Sequence, residues 1–235
     1  MVLHPGEPHD AGLSGRLNRL RAGVLGANDG IVSTAGLVIG VAGATTATGP
    51  IATAGLAGLV AGAVSMALGE YVSVSSQRDT ERALLDKERD ELARFPEQEL
   101  EELAALYEAK GLSAETAQRV ARELTDRDAF AAHADVELHL DPDELASPWQ
   151  AAVASAVAFT GGSLLPLAAI LLPPPGLRAG TAFLVVLLAL AATGYLSARL
   201  GGARPARAVA RLVLGGAAGM AVTYAVGVLT GAAIG

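Results

Sequence analysis

Five stretches of the chain are apolar for long enough to cross a lipid bilayer, which takes roughly 20 mostly apolar residues. They cover about 22–44, 51–76, 150–172, 177–200 and 208–233. Short breaks punctuate them: "TATGP" after the first, "PPPG" after the third and "GGARPAR" after the fourth. Between the second and third lies a long polar segment with helical rather than alternating periodicity. Residues 71–94 contain no Gly or Pro, so the second span is expected to run on as one long helix. "FPEQ" ends it and starts another, because Pro suits a first helical turn. "KG" closes that second helix near Gly111, and Ser113 is a fitting N-cap for the next. Trp149 reads as an anchor at the membrane interface. No strand pattern of any length is present. The predicted architecture is all-α: a polytopic membrane protein with five transmembrane helices and a cytosolic helical insert between helices 2 and 3. The expected parts are an N-terminal tail (1–20), helices 1–2 (21–77), an acidic insert (78–146) and helices 3–5 (147–235).

Composition sharpens this picture. Half of the 235 residues are hydrophobic, yet only 4% are aromatic, so the apolar content is Ala, Val, Leu and Gly. Small side chains suit close helix packing in lipid. The net charge of −7 is unevenly spread: residues 78–144 hold 20 of the 24 acidic and 9 of the 17 basic residues, a net of −11, leaving +4 elsewhere. Without a basic face, nucleic acid is not expected as a partner. No cysteine is present, which excludes disulfides and thiolate metal sites. The N-terminus lacks a basic segment followed by an apolar one, so no cleavable signal peptide is expected. Arg16, Arg19 and Arg21 precede the first span, and Arg199, Arg204, Arg207 and Arg211 surround the fourth-to-fifth turn; the other two short turns carry only Arg178. By the positive-inside rule the N-terminus and insert are cytoplasmic and the C-terminus lies on the opposite side. In a prokaryote the membrane would be the plasma membrane.

Candidate chemistry falls in two places. Asp29 sits a few residues into the first span, and a carboxylate in a membrane segment is by default a functional candidate. Alternatively it lies at headgroup level or caps a helix broken at "GANDG". Ser33, Gly36 and Gly40 share its helical face. In the second span Gly58, Gly62, Met66 and Glu70 form one stripe, which either packs against a neighbour or, with its thioether and carboxylate, binds a divalent transition metal. In the insert, Glu88 and Glu91 are three residues apart, as are Glu99 and Glu102, and His133 and Glu137 are four apart. Each pair shares a helical face. Carboxylates with an imidazole suit Fe(II), Mn(II) or Zn(II); the competing reading is a solvated charged face. His4, His9 and His139 have no assigned role. No nucleophilic triad, phosphate loop or dinucleotide fingerprint is visible, so no enzymatic activity is expected.

The segments "GANDGIVSTAGLVIGVAGA", "AGLAGLVAGAVSMALGEYVSVSSQ" and "GGSLLPL", with an acidic helical insert between spans two and three, resemble the vacuolar iron transporter family. The resemblance covers about residues 16–235. It implies a homodimer of five-helix subunits that exchanges cytosolic Fe(II) or Mn(II) for protons, with no tightly bound cofactor. It places Asp29 and Met66 on the ion path at the dimer interface, and assigns metal binding to Glu88, Glu91, Glu99, Glu102 and Glu137. Three departures stand out. Gly58 occupies a position where some members carry a glutamate, His133 and Ala134 stand where others carry paired methionines, and no ferritin-like domain precedes the first span. A metal-sensing membrane scaffold, whose insert binds metal without transport, is the alternative.

Overall fold

The computed structural model describes the backbone of residues 13–234 and the side chains of residues 23–233. The expected N-terminal tail and the side chains of Arg16, Arg19 and Arg21 lie outside the described residues. Among the described residues seven α-helices follow in order: α1 (Leu13–Ala44), α2 (Thr48–Arg94), α3 (Pro96–Ala109), α4 (Ala114–Val136), α5 (Pro148–Leu171), α6 (Arg178–Leu200) and α7 (Pro205–Ile234). No strand occurs among the described residues. Five helices are long and apolar enough to cross a membrane: α1 from Gly23, α2, α5, α6 with the short turn before it, and α7. At about 1.5 Å per residue, the 47 residues of α2 measure roughly 70 Å, more than twice a hydrocarbon core of about 30 Å. The absence of Gly and Pro from residues 71–94 is what permits this length.

The helices divide into two compact units, one of residues 72–148 and one of the flanking segments. The flanking unit contains the apolar spans. Its core joins Ile31, Val38 and Ile39 of α1 to Ile51 of α2, Leu167 and Ile170 of α5, Val186 and Leu190 of α6 and Met220 of α7. Along α6 the buried side is a strict four-residue stripe, Ala182, Val186, Leu190, Gly194 and Ala198. The helices meet at glycines. A Cβ on Gly30 would strike the Phe159 carbonyl, one on Gly162 the Ala27 carbonyl and one on Gly227 the Gly40 carbonyl. Backbones approach this closely only where side chains are absent. Gly161 faces open space instead. Gly161→Ala is therefore expected to be neutral or slightly stabilising, whereas Gly162→Ala should cost about 1–3 kcal/mol by overpacking the α1–α5 contact. Thermal unfolding in detergent that gave equal midpoints for the two variants would contradict this packing.

Arg178, read from the sequence only as a topology charge, is buried at the start of α6. Its Nη1 donates to the Thr46 carbonyl at 3.0 Å, Nη2 to Thr48 Oγ1 at 2.7 Å and Nε to the Pro173 carbonyl at 3.3 Å. One guanidinium thus clasps the α1–α2 turn to the α5–α6 turn. Trp149 is largely exposed and stacks at a tilt on Tyr71, with ring centroids 5.0 Å apart.

The second unit consists of the end of α2, with α3 and α4. Leu103 and Ala104 of α3 pack on Ala121, Ala132 and Val136 of α4. Pro96 opens α3 behind Phe95, and Gly111, at φ +101°, turns the chain after its last residues. Ser113 caps α4 by accepting from the Thr116 amide. Within α4 the backbone at Asp128 is extended (φ −166°, ψ 95°), and Asp128 Oδ1 accepts from the Ala131 amide at 2.9 Å. That is an N-cap arrangement: α4 is two helices joined at Asp128, the second one short.

Candidate metal centre

Three helices of the 72–148 unit each turn an ionisable side chain inward. Glu88 comes from α2, Glu99 from the first turn of α3, and His133 from the short helix after Asp128. All three are buried, with side chains 3%, 9% and 1% exposed respectively. Glu137, one turn beyond His133 on the same face, is partly buried. His133 Nδ1 is the centre of the group: it lies 3.0 Å from Glu88 Oε1, 3.3 Å from Glu137 Oε2 and 3.8 Å from Glu99 Oε2. Ligand atoms from Glu88, Glu99 and His133 all fall within 4.8 Å of one another, the only such trio among the described residues.

Why these positions point inward is a matter of packing. Leu103, four residues after Glu99, is fully buried against α4, which turns the face carrying Glu99 inward. Ala132, Ala134 and Val136 bury the short helix around His133. Arg89 stacks its guanidinium 4.2 Å from the centre of the Phe130 ring, which ties α2 to that helix next to Glu88. The remaining two expected glutamates sit outside the group. Glu91 is half-buried and accepts from Lys87 Nζ at 2.7 Å, and Glu102 is exposed.

Electrostatically the group is unsatisfied. Burial is the largest cause holding the Glu88 carboxyl above the usual glutamate range, followed by the charge of Glu137, with His133 partly offsetting both. Glu99 is raised in the same way, by burial first and Glu102 second, again with His133 opposing. Of the three carboxylate contacts to Nδ1, only that of Glu137 has the geometry of a hydrogen bond. Glu88 Oε1 and His133 Nε2 are buried without a hydrogen bond. An orphaned carboxylate oxygen inside a ring of acids is costly unless a cation meets it. Metal–ligand bonds of about 2.0–2.2 Å place neighbouring ligand atoms about 3–3.5 Å apart, so the 3.0 and 3.3 Å separations fit ligands around one ion, while Glu99, at 3.8 Å, has to close in by a few tenths of an ångström to join them. The donor set is three oxygens and one imidazole nitrogen, without sulfur, which suits Mn(II), Fe(II) or Zn(II).

The membrane-unit candidates are placed differently. α1 runs unbroken through residues 26–30, so Asp29 does not cap a helix break there. Asp29 is partly buried and Oδ1 accepts from Ser33 Oγ at 2.7 Å. Further along the same face, Gly36 and Gly40 lie against Thr223 of α7. On α2, Gly58 packs against Leu37 and Gly62 against the Phe159 ring, and Met66 and Glu70 continue that stripe, both partly buried. No hydrogen bond or ion pair among the described residues joins Asp29 to Glu70.

A sequence model of the VIT family matches residues 20–228. The chain belongs to the vacuolar iron transporter (VIT) family. As a VIT family member it is 44% identical over 226 residues to the vacuolar iron transporter of Acanthamoeba castellanii, covering 96% of this chain and 83% of that protein. It is 39% identical over 213 residues to vacuolar iron transporter homolog 5 of Oryza sativa subsp. japonica, covering 90% of this chain and 80% of the relative. Vacuolar iron transporter homolog 2 of Arabidopsis thaliana is 35% identical over 219 residues, or 93% and 87% of the two chains. VIT family membership and the apolar helices together make this a multi-pass integral membrane protein.

Proposed function

We propose that the chain moves a divalent transition metal, Fe(II) and/or Mn(II), out of the cytosol in exchange for protons. The observation that carries the reading is the convergence of Glu88, Glu99, His133 and Glu137 on one point, in a chain whose named relatives include a vacuolar iron transporter. The 72–148 unit is cytosolic in this reading, in line with the arginine distribution of the short turns, and the C-terminus is on the opposite side. There the four side chains capture the metal ion, with Glu91 and Glu102 supplying negative charge at the margin. Capture displaces protons from the raised carboxyls of Glu88 and Glu99. Asp29, Met66 and Glu70 serve the pathway through the membrane, a carboxylate being able to hold a metal ion or a proton in turn. The functional unit is a homodimer, and metal, protons and lipid are the only partners required. Neither a resident cofactor nor a catalytic step is invoked.

The rival is a metal-sensing scaffold. It is favoured by the location of the buried trio in the 72–148 unit, outside the apolar spans. Metal flux into proteoliposomes under an imposed pH gradient separates the two: uptake that dissipates with the gradient supports exchange, and binding without uptake supports the scaffold. In the same assay Glu70→Gln should slow flux and flatten its pH dependence. An unchanged pH profile would leave Glu70 with a packing role.

A further inference from the structure

The turn between α6 and α7 carries Arg199, Arg204, Arg207 and Arg211, all exposed. None has an ion-pair partner among the described residues, and the described part of the membrane unit contains only two carboxylates, Asp29 and Glu70. Orientation by the positive-inside rule needs only the charge count. The geometry holds more than a count.

The turn itself is firmly built. Gly202 takes φ +66°, a conformation that a residue without a Cβ adopts freely, and the Ala203 amide bonds back to the Ala198 carbonyl at 2.8 Å. The backbone that bears Arg199 and Arg204 is therefore fixed. Arg199 is further held by Tyr195: its Nε donates to the phenol oxygen at 3.0 Å. Arg204 immediately precedes α7, and Arg207 and Arg211, four residues apart, share one face of its start. That helix begins at Pro205 with no acid in its first turn, so its unpaired amides add to the positive end. Leu200, which follows Arg199 on α6, and Leu214, three residues after Arg211 on α7, are exposed, at 53% and 69%. Guanidiniums without a carboxylate partner, close in sequence to exposed leucines, match a molecule with a phosphate at one end and acyl chains at the other. A free phosphate or an acidic peptide answers only the charged half.

We infer that the α6–α7 turn is a docking site for anionic phospholipid, with the arginines on the headgroup phosphate and Leu200 and Leu214 along the acyl chains. Arginine suits this task because its planar fork meets phosphate oxygens two at a time.

The test uses the full chain purified in neutral detergent and titrated with phosphatidylglycerol, phosphatidylcholine or inorganic phosphate. Lipid retention is read by native mass spectrometry and stability by thermal midpoint. Phosphatidylglycerol should be retained and should raise the midpoint; the other two should do neither. The double variant Arg207→Gln with Arg211→Gln leaves Arg199 and Arg204 to hold the orientation. It should weaken phosphatidylglycerol binding about twentyfold, or about four- to fivefold per arginine. The corresponding lysine pair, which keeps the charge but not the planar fork, should recover only part of the binding. Retention by the intact chain should also fall as ionic strength rises. Equal retention of both lipids, an unchanged double variant or salt-insensitive retention would overturn the assignment. An equal response to inorganic phosphate would make the turn a free-anion site instead. No lipid preference in the intact chain, with loss of stability in the double variant, would give the arginines to a carboxylate partner.

Discussion

Asp29→Asn should abolish proton-driven metal flux, by at least about 10- to 100-fold, in a protein that still folds and still binds metal at Glu88, Glu99 and His133. The substitution changes almost nothing but charge. Asparagine has the shape of aspartate, and its carbonyl oxygen can still accept from Ser33 Oγ, as Asp29 Oδ1 does at 2.7 Å. Gly30, the next residue, keeps its contact with the Phe159 carbonyl, so the α1–α5 packing is not disturbed. What is lost is the negative charge that draws a divalent ion into an apolar segment and the site that takes up a proton when the ion leaves. Flux, thermal midpoint and metal affinity measured on the same preparation separate this role from a structural one. Full transport by Asp29→Asn would return the residue to the membrane-surface reading.

Metal and pH should act on the 72–148 unit in opposite directions. In the metal-free protein, burial and neighbouring acids hold Glu88 and Glu99 above the usual glutamate range. The folded state therefore binds their protons more tightly than the unfolded chain does. The stability they contribute is complete below the ordinary glutamate value of about 4.3 and is lost as pH rises through the raised folded values. A divalent ion reverses the sign, because it binds the deprotonated form. Adding Mn(II) at neutral pH should raise the thermal midpoint, and the gain should shrink steadily on acidification. Glu88→Gln makes the point sharply. It removes one buried charge, so the metal-free protein should become more stable at neutral pH, while Mn(II) affinity falls about 10- to 100-fold. Glu102→Gln, at an exposed position, should leave affinity within about twofold. A Glu88→Gln variant that kept its Mn(II) response would remove Glu88 from the centre.

The helices and their ends were legible because the residues that set them act locally. Pro96, Gly111 and Ser113 each impose a backbone preference on their immediate neighbours, and the structure places a boundary at each. Spacing also put Glu88 with Glu91 and Glu99 with Glu102 on shared faces. It could not say which member of a pair turns inward, since that depends on how α2, α3 and α4 pack. Glu88 and Glu99 are buried, while Glu91 goes to Lys87 and Glu102 to solvent. His133 entered the sequence reading as one ligand among six; its place at the centre is a tertiary fact. Arg178 illustrates the same limit, because a single arginine in a short turn looks identical whether it faces water or clasps two loops. The interruption at Asp128 was not foreseen. Its only signal was the capping preference of aspartate, set in a run of good helix formers.

That interruption leaves His133 and Glu137 at the end of a segment of only about nine residues, too short to be a stable helix without its neighbours. Its amides are held by packing against α3 and by the Arg89–Phe130 stack rather than by a long cooperative helix. Such a segment opens at a free energy well below that of global unfolding, so its amide hydrogens should exchange with solvent deuterium sooner than those of residues 114–127. An ion gripped by His133 and Glu137 on one side and by Glu88 on the other would close this local opening. The occupancy of the centre should thus be written in the deuterium uptake of a few backbone amides, a record that can be read in the intact protein without following any ion across the membrane.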